Sequence, residues 1–508
     1  MFAEKGDLFG GARIATGTAD AVVAPTPHPQ VETLSEPEPL PAPPTDDETN
    51  RRVALELIYK TLELPEGQLG RYHGELVAAL ATIKPEQAFE ISAQRGGEFD
   101  EAIFRALGNS LLLESPDEAI AYLMSVEDTQ RRVYLLRTAA ERLVPVDPER
   151  AKQELLMLMP DLAQLEPKYR AAYQARCGET LYKLDPEAAE PIIREAEEIA
   201  KTLRNSDWDA YARGCVAEAL CQFDLEAALA LIANLTGDYE PTRHQPNIAA
   251  RIAADQPERA AELMEVLDGW NYGRRVPRVV YTMAPAHPDS AFELAETVEQ
   301  PMYRARCLAY IALALRESAP DRALEAFARA VALMRDAGSG DRFGGVEARE
   351  GSVVGAELAY LAVKIGYPAV DRLVWHAIAR RPAPSNEPWA QDSGVTDFLK
   401  PLAFVRPELA AQLIRDSVAR RPLDSYEQHS DAASNLILAA AAADANLAAE
   451  MVRSLRPPNE EDNYPRVARH RLSVIQDLLI PDDERETTHY ADVMGRYGTW
   501  VPGTIDAD

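Results

Sequence analysis

Apolar residues recur every three or four positions along most of the chain after residue 50, which is the period of a helix with one buried face. Clear examples are MYRARCLAYIALALRES at residues 302–318 and WDAYARGCVAEALCQF at residues 208–223. Every periodic segment has this spacing rather than the period of two that strands require. The pattern therefore predicts an all-α protein.

A second signature repeats along the same region. A proline or its substitute precedes an acidic or polar residue, and an alanine then opens an apolar helix, as in APDRALEAF. The leading positions are Pro85, Pro116, Pro148, Pro186, Leu225, Pro257, Pro288, Pro320, Pro407 and Ala445, with a weaker copy at Pro368. Proline is tolerated in the first turn of a helix, and Asp, Ser or His ahead of it can cap that turn. These positions therefore predict helix starts.

Each interval between these starts also holds a preceding apolar helix, so each unit is a pair of antiparallel helices. One pair cannot bury its apolar face alone, whereas stacked pairs bury it together. The predicted fold is an α-solenoid of about ten antiparallel helix pairs.

The segment RARCLAYIALALRESAPDRALEAFARAVALM resembles a tetratricopeptide repeat. Three residues fall at the spacing of that family's second helix: Ala323, Phe327 and Ala330. The small residue that the family places twelve positions before Ala323 is Ile311 here, with Ala312 one position away. Units of 38 and 39 residues are closer to HEAT repeats. The resemblance, to a degenerate tetratricopeptide/HEAT-like array over about residues 51–480, implies a binding scaffold and carries over no catalytic residue.

The pattern also predicts the domain boundaries. Residues 1–50 are rich in proline and acids and should form a disordered tether, because they have little apolar surface to bury. The helical array occupies 51–334 and 353–480, interrupted by a glycine-rich loop at 335–352. Residues 481–508 are a C-terminal tail. A short apolar patch near the start, MFAEKGDLFGG, is either a docking motif or an unstructured end.

Composition narrows the partners. The chain has 508 residues and a net charge of −29, which argues against nucleic acid or an anionic membrane as the main partner. It favours neutral or basic partners, or simply a well-solvated surface. No stretch approaches the ~18 uncharged apolar residues of a membrane span, and a cytoplasmic location is expected.

The four cysteines predict packing rather than chemistry. Three of them follow a tyrosine by four residues, in YQARC, YARGC and YRARC, and a fourth copy of this frame ends in Thr138. Residues four apart share one helix face, and a cysteine that a threonine replaces is typical of a small, half-buried position. Arginines beside Cys307 leave a reactive thiol as the alternative. The four are too few for a disulfide scaffold, and no zinc-ligand spacing accompanies them.

The sequence contains no recognisable catalytic motif. Its glycine-rich segment GSGDRFGG, for example, lacks the lysine and serine of a phosphate-binding loop. The sequence predicts no catalytic, cofactor-binding or metal-binding residue. The strongest candidate is an aromatic and basic patch in DGWNYGRRVPRVVY, together with the preceding junction. Its predicted partner-binding residues are Trp270, Tyr272, Arg274, Arg275, Arg278, Tyr281, Arg243 and His244. Arginine and aromatic residues carry much of the binding energy at interfaces.

Two interpretations of the arginines remain open. They line a groove for an acidic or carboxylate-ended peptide, or they pair with acids of neighbouring repeats, such as Glu149, Glu187, Glu226 or Glu258, and fix the repeat geometry. The leading function is a non-enzymatic scaffold that binds a protein or peptide on its concave face. The alternatives are a structural subunit anchored by its N-terminal segment, and a helical-repeat enzyme whose groove brings acids, or an acid and a histidine, together on a small molecule.

Overall fold

Helices begin at every one of the ten strong positions that the sequence predicts. The computed structural model describes residues 46–480 except 65–68, 70–71, 205–206, 234, 236–238, 266, 268, 337–344, 369, 372, 375–398, 400, 421–429 and 455–463. Its helices are α1 (Asp47–Leu62), α2 (Tyr72–Ala81), α3 (Pro85–Ala93), α4 (Asp100–Leu111), α5 (Pro116–Met124), α6 (Thr129–Leu143), α7 (Pro148–Met157), α8 (Met159–Leu162), α9 (Pro167–Leu184), α10 (Pro186–Thr202), α11 (Asp207–Leu220), α12 (Leu225–Ile232), α13 (Tyr239–Ile252), α14 (Pro257–Met264), α15 (Gly269–Met283), α16 (Pro288–Glu296), α17 (Pro301–Leu315), α18 (Pro320–Asp336), α19 (Gly345–Ile365), α20 (Pro407–Arg420), α21 (Ser430–Ala443), α22 (Ala445–Ser454) and α23 (Tyr464–Leu478).

Capping explains several of these starts. Asp147, Asp185 and Asp224 each accept a hydrogen bond from the backbone N–H three residues later, at 3.0 Å. This bond satisfies a donor that the first turn would leave unpaired. Ser115 and His287 make no such cap, although the sequence allows one. The His287 ring instead contacts the carbonyl oxygen of Ala254.

The helices pack in pairs, as predicted. Within the described residues nine such pairs of neighbouring helices are complete: α2–α3, α4–α5, α6–α7, α9–α10, α11–α12, α13–α14, α15–α16, α17–α18 and α21–α22. We call the earlier member of each pair the first helix and the later member the second helix. The described residues contain no strand, which confirms the all-α prediction.

Close packing within a pair depends on one small residue of the first helix. A Cβ atom at Gly108 would lie 2.3 Å from Leu123, and one at Gly178 would lie 2.5 Å from Ile193. Each glycine precedes the first buried alanine of its second helix by eleven residues. The corresponding residue before Ala323 is therefore Ala312, one position later than tetratricopeptide spacing predicts.

First helices of successive pairs pack along one another, whereas second helices approach each other less closely. The array therefore curves toward its first helices. Side-chain contacts agree, because Arg251 of α13 reaches over α11 to Glu179 of α9, with Nε 2.9 Å from Oε1. We call the surface of the first helices that faces away from the second helices the inner side.

The two ends of the array form a helix pair together. Within the unit of residues 34–508, α23 packs along α21 and α2 as a first helix, and α1 packs on α23 as its second helix. Arg471 donates to the carbonyl of Lys60 at 3.1 Å, and both nitrogens Nε and Nη2 of Arg453 bind Glu56. The buried apolar core is continuous from Val53 to Leu478.

Some predicted boundaries shift. Residues 47–50, assigned to the tether, belong to α1, and Asn50 is buried. The glycine-rich segment is shorter than predicted, because α18 runs to Asp336 and α19 begins at Gly345. Residues 1–45 of the predicted tether and the predicted tail at 481–508 lie outside the described residues. No described helix has the length and apolar character needed to cross a membrane.

Candidate functional site on the inner side

A buried carboxylate organises the inner side at α11. Glu218 has no exposed surface, and its two oxygens together contact four side chains from the two neighbouring first helices. Oε1 lies 2.6 Å from Nδ1 of His244 and 2.9 Å from Nδ2 of Asn247. Oε2 lies 3.1 Å from a guanidinium nitrogen of Arg176 and of Arg251. The contacts join α9, α11 and α13.

These partners keep the carboxylate ionised. Burial by itself would raise the pKa of Glu218, but the charges of Arg251 and Arg176 and the bond with His244 outweigh burial and hold the pKa well below its usual range. A buried charge is tolerated only when it is paired and hydrogen-bonded, and Glu218 meets both conditions.

The network extends along the array. Glu179 accepts from Arg251, and Arg278 of α15 donates to Oδ1 of Asn247 at 2.9 Å. We call the set Arg176, Glu179, Glu218, His244, Asn247, Arg251 and Arg278 the inner network. A smaller pair lies further along, where Arg306 of α17 binds Glu357 of α19 with Nε 2.7 Å from Oε2. Both of these side chains are buried.

The histidine of the inner network is closed off from solvent. His244 is fully buried, and the ring edge that carries Nε2 lies against the backbone of Gly214. The other ring nitrogen, Nδ1, hydrogen-bonds Glu218. Within the described residues, no group of three or more His, Cys, Asp or Glu side chains is arranged to hold a metal ion.

Aromatic side chains line the N-terminal halves of neighbouring first helices. The Trp208 ring lies 5.3 Å from that of Tyr169 and 5.5 Å from that of Tyr211, edge to face in both cases. Tyr173 lies beside Gln130 of α6, and Arg137 lies over the ring of Tyr134. We call Tyr134, Tyr169, Tyr173, Trp208 and Tyr211 the aromatic row.

The aromatic row is on the inner side. Tyr169 precedes Gly178 by nine residues, and a nine-residue step places two side chains on opposite sides of a helix. Since Gly178 packs against the second helix, Tyr169 points away from it, and Trp208 has the same position relative to Ala217. Trp208 is 50% exposed and Tyr134 is 48% exposed.

The predicted patch on α15 does not form one surface among its described side chains. Tyr272 hydrogen-bonds Thr297 beyond α16. Arg278 joins the inner network toward α13, and Tyr281 packs edge to face on Tyr310 of α17, 6.3 Å away. Arg275 is half-buried, and His244 lies in the inner network. The side chains of Arg243, Trp270 and Arg274 lie outside the described set.

Arginines at the other junctions pair with acids of the same or a neighbouring repeat, and these acids are not the ones that the sequence suggests. Arg132 binds Asp161 at 3.0 Å. Similar pairs join α6 to α4, α9 to α10 and α17 to the end of α16: Arg131–Glu101, Arg170–Glu195 and Arg304–Glu296. These bonds support the interpretation that such arginines fix repeat geometry.

All four cysteines are buried. Burial raises the pKa of Cys177 and of Cys221 to about 12 and raises that of Cys215 and Cys307 as well. The arginines beside Cys307 oppose this shift without cancelling it. Since the thiolate is the nucleophile, this burial supports the packing interpretation, at positions that are more deeply buried than the sequence predicts.

The sequence does indicate part of the inner network, through a regular spacing of glutamates rather than through a known motif. Glu141, Glu179 and Glu218 each follow the small residue of a first helix by one position, at intervals of 38 and 39 residues. Those intervals equal the local repeat lengths, so an alignment of the repeats brings the three carboxylates into register. Acidic residues are so frequent elsewhere in the chain that this register does not stand out in the sequence.

Comparison with known proteins assigns no family. No family model and no curated protein matches the chain. Among solved structures, the chain is similar to one described as a circular tandem repeat protein with novel repeat topology and enhanced subunit contact surfaces. The identity is 12% and the TM-score 0.17, over 88% of this chain and 100% of that chain. At this TM-score the likeness carries no argument, so the fold and the site stand on their own geometry.

Proposed function

We propose that this protein is a non-enzymatic scaffold that binds a protein or peptide partner on the inner side of its helical array. The aromatic row carries the proposal. Two of its rings are about half exposed, Tyr134 on α6 and Trp208 on α11, and large rigid aromatic side chains are typical anchors of protein interfaces. Stacked helix pairs also present continuous curved surfaces of the kind that repeat proteins use for binding.

The geometry gives less support to an enzyme. That alternative needed an acid and a histidine together in the concavity, and Glu218 and His244 do meet. Both side chains are fully buried, however, and the ring edge that carries Nε2 lies against Gly214. A general base must come within hydrogen-bond reach of the proton it removes, and this pair is sealed from any substrate.

An acidic partner at α15 remains a separate hypothesis. It places Arg274, Arg275 and Arg278 in a hot spot with Trp270 and Tyr272. The contact of Arg278 with Asn247 favours a structural role for that arginine. The N-terminal anchor of a larger assembly is likewise a hypothesis, and it concerns residues outside the described range.

The test replaces the aromatic row. A pull-down from the native host compares the wild-type chain with the double variant Tyr134→Ala/Trp208→Ala, and the captured partner is then titrated against both proteins. Loss of a hot-spot residue costs about 2 kcal/mol or more, so binding should weaken at least ~30-fold.

Met157→Ala provides the control, because Met157 is 60% exposed but belongs to a second helix. It should leave the affinity unchanged. Retention of the partner by the double variant at wild-type affinity would overturn the proposal. Circular dichroism and melting temperature should be the same for all three proteins.

A further inference from the structure

A cleft of about 770 Å³ opens on the outer side of the array, between the second helices α14 and α16. Leu267, Leu294 and the ring of Tyr272 contribute apolar surface to it. Its walls carry five carboxylates: Glu258, Glu262, Glu265, Glu293 and Glu299. Among the described residues that line the cleft, none is lysine or arginine.

The next junction along the array, between α16 and α18, shows which side chains the cleft between α14 and α16 lacks. Two arginines of α18 bridge to acids of α16. Arg322, the third residue of α18, lies 2.5 Å from Asp289, the second residue of α16. Arg329, the tenth residue of α18, binds Glu296, the ninth residue of α16. We call these two ion pairs the first rung (Arg322–Asp289) and the second rung (Arg329–Glu296). They neutralise the two acids that α16 presents toward α18.

The first rung recurs elsewhere, because Arg150 and Asp117 occupy the same positions of α7 and α5 and lie 2.8 Å apart. It is missing between α16 and α14. The third residue of α16 is Ser290, and the residue of α14 in the position of Asp289 is Glu258. Both of these residues line the cleft.

The second rung is missing at the same junction. Thr297 stands in the position of Arg329, and Glu265 stands in the position of Glu296. The Thr297 hydroxyl donates to the carbonyl of Leu294, in its own chain segment. Both Thr297 and Glu265 line the cleft, so the cleft occupies the space that two arginine side chains fill at the next junction.

We infer that this cleft is a docking site for a partner segment that supplies the two missing cations. Glu258 and Glu265 are seven residues apart, which is two helical turns and about 10 Å along the axis. The partner segment is helical and carries two arginines or lysines seven residues apart, with an apolar residue between them that contacts Leu294 and Tyr272. This surface lies on the second helices, so the inference does not depend on the proposed inner-side function.

Synthetic peptides test the inference directly. One probe is an alanine- and glutamine-based helical peptide with two arginines seven residues apart and a leucine between them. The second has the same composition with adjacent arginines. Fluorescence anisotropy at low salt should show the spaced peptide binding about tenfold more tightly, as two ion pairs allow. Equal affinities would mean unspecific attraction to an acidic protein and would overturn the inference.

Two variants locate the binding. Glu258→Gln/Glu265→Gln should weaken the spaced peptide about tenfold, while Glu118→Gln, an exposed acid on another second helix, should not. Ser290→Arg/Thr297→Arg supplies the two missing arginines from within the chain and should therefore remove peptide binding. It should not lower the melting temperature, because α18 carries arginines at the same two positions. Wild-type affinity in either double variant would place the peptide elsewhere and refute the site.

Discussion

A Cβ atom at Gly214 would lie 2.0 Å from Cδ2 of His244, so the histidine ring occupies the space that any larger residue would need. Alanine normally stabilises a helix interior relative to glycine by about 0.5–1 kcal/mol. At this position the sign should reverse, because overpacking a buried site costs about 1–3 kcal/mol. We expect Gly214→Ala to lower the free energy of unfolding by that amount in urea denaturation.

Gly74→Ala is the matched control. Its added Cβ would come no closer than 3.4 Å to Phe99, which is ordinary contact, so this variant should be neutral or slightly stabilised. In the background of Gly214→Ala, the change His244→Ala should cost less than it does in the wild type, because the added Cβ then has room. A Gly214→Ala protein as stable as the wild type would contradict the packing of this ring.

Acid should destabilise the protein partly through Glu218. Its folded-state pKa lies below the ~4.3 of an unfolded chain, so the unfolded chain binds the proton first as the pH falls. The stabilisation is complete above about pH 5 and is lost as the pH falls through the folded pKa. Glu218→Gln cannot titrate at this position, and its unfolding free energy should depend less on pH below about pH 5.

The same variant should lose about 3 kcal/mol at neutral pH, because Arg176 and Arg251 lose a buried counter-charge. Glu118→Gln, which changes an exposed carboxylate, should follow the wild-type pH profile. Urea denaturation at a series of pH values measures both effects. Identical pH profiles for wild type and Glu218→Gln would show that this carboxylate does not govern acid stability.

Closure of the array should depend on α1. Deleting residues 1–45 removes only residues ahead of this helix and should leave the melting temperature unchanged. Deleting residues 1–62 removes α1 and uncovers its contacts with α23, and should lower the melting temperature by several degrees. Leu57→Ala, at a fully buried position of α1, should by itself cost about 2–5 kcal/mol. A harmless deletion of α1 would show that the two ends do not support each other.

The four thiols should be unreactive toward thiol reagents in the native protein. Burial raises the pKa of each cysteine, so a thiol reagent at neutral pH should label none of them quickly and should label four after denaturation. Ser125→Cys places a thiol at an exposed position and should add one rapidly reacting group. Rapid native labelling at Cys307 would restore the reactive-thiol interpretation.

The arginines of α15 can be separated by their effects. If Arg274 and Arg275 bind an acidic partner, Arg274→Ala/Arg275→Ala should weaken the captured partner at least ~30-fold and reduce the salt sensitivity of the remaining binding. The melting temperature should change little. Arg278→Ala should instead lower the melting temperature, because Arg278 donates to Asn247 in the inner network. Lower stability with unchanged binding in the double variant would assign both arginines to the repeat geometry.

The sequence alone determined the helices and their pairing. Starts such as Pro116, Pro186 and Pro320 are encoded within a few residues, because a first turn needs only its proline, its cap and the acids beside it. The alternation of first and second helices follows from apolar faces that no single pair can bury. The packing role of Cys307 could also be predicted from the sequence, because a cysteine four residues after a tyrosine recurs in other units.

Only the tertiary structure decided which distant residues meet. Glu218 joins Arg176, 42 residues before it, and Arg251 reaches Glu179 across 72 residues, because curvature brings three first helices together. Arg471 binds the backbone of Lys60 across 411 residues, and this closure depends on how small rotations between repeats add up along the array. Local propensity does not encode that sum, since it is set by the packing of side chains between neighbouring pairs.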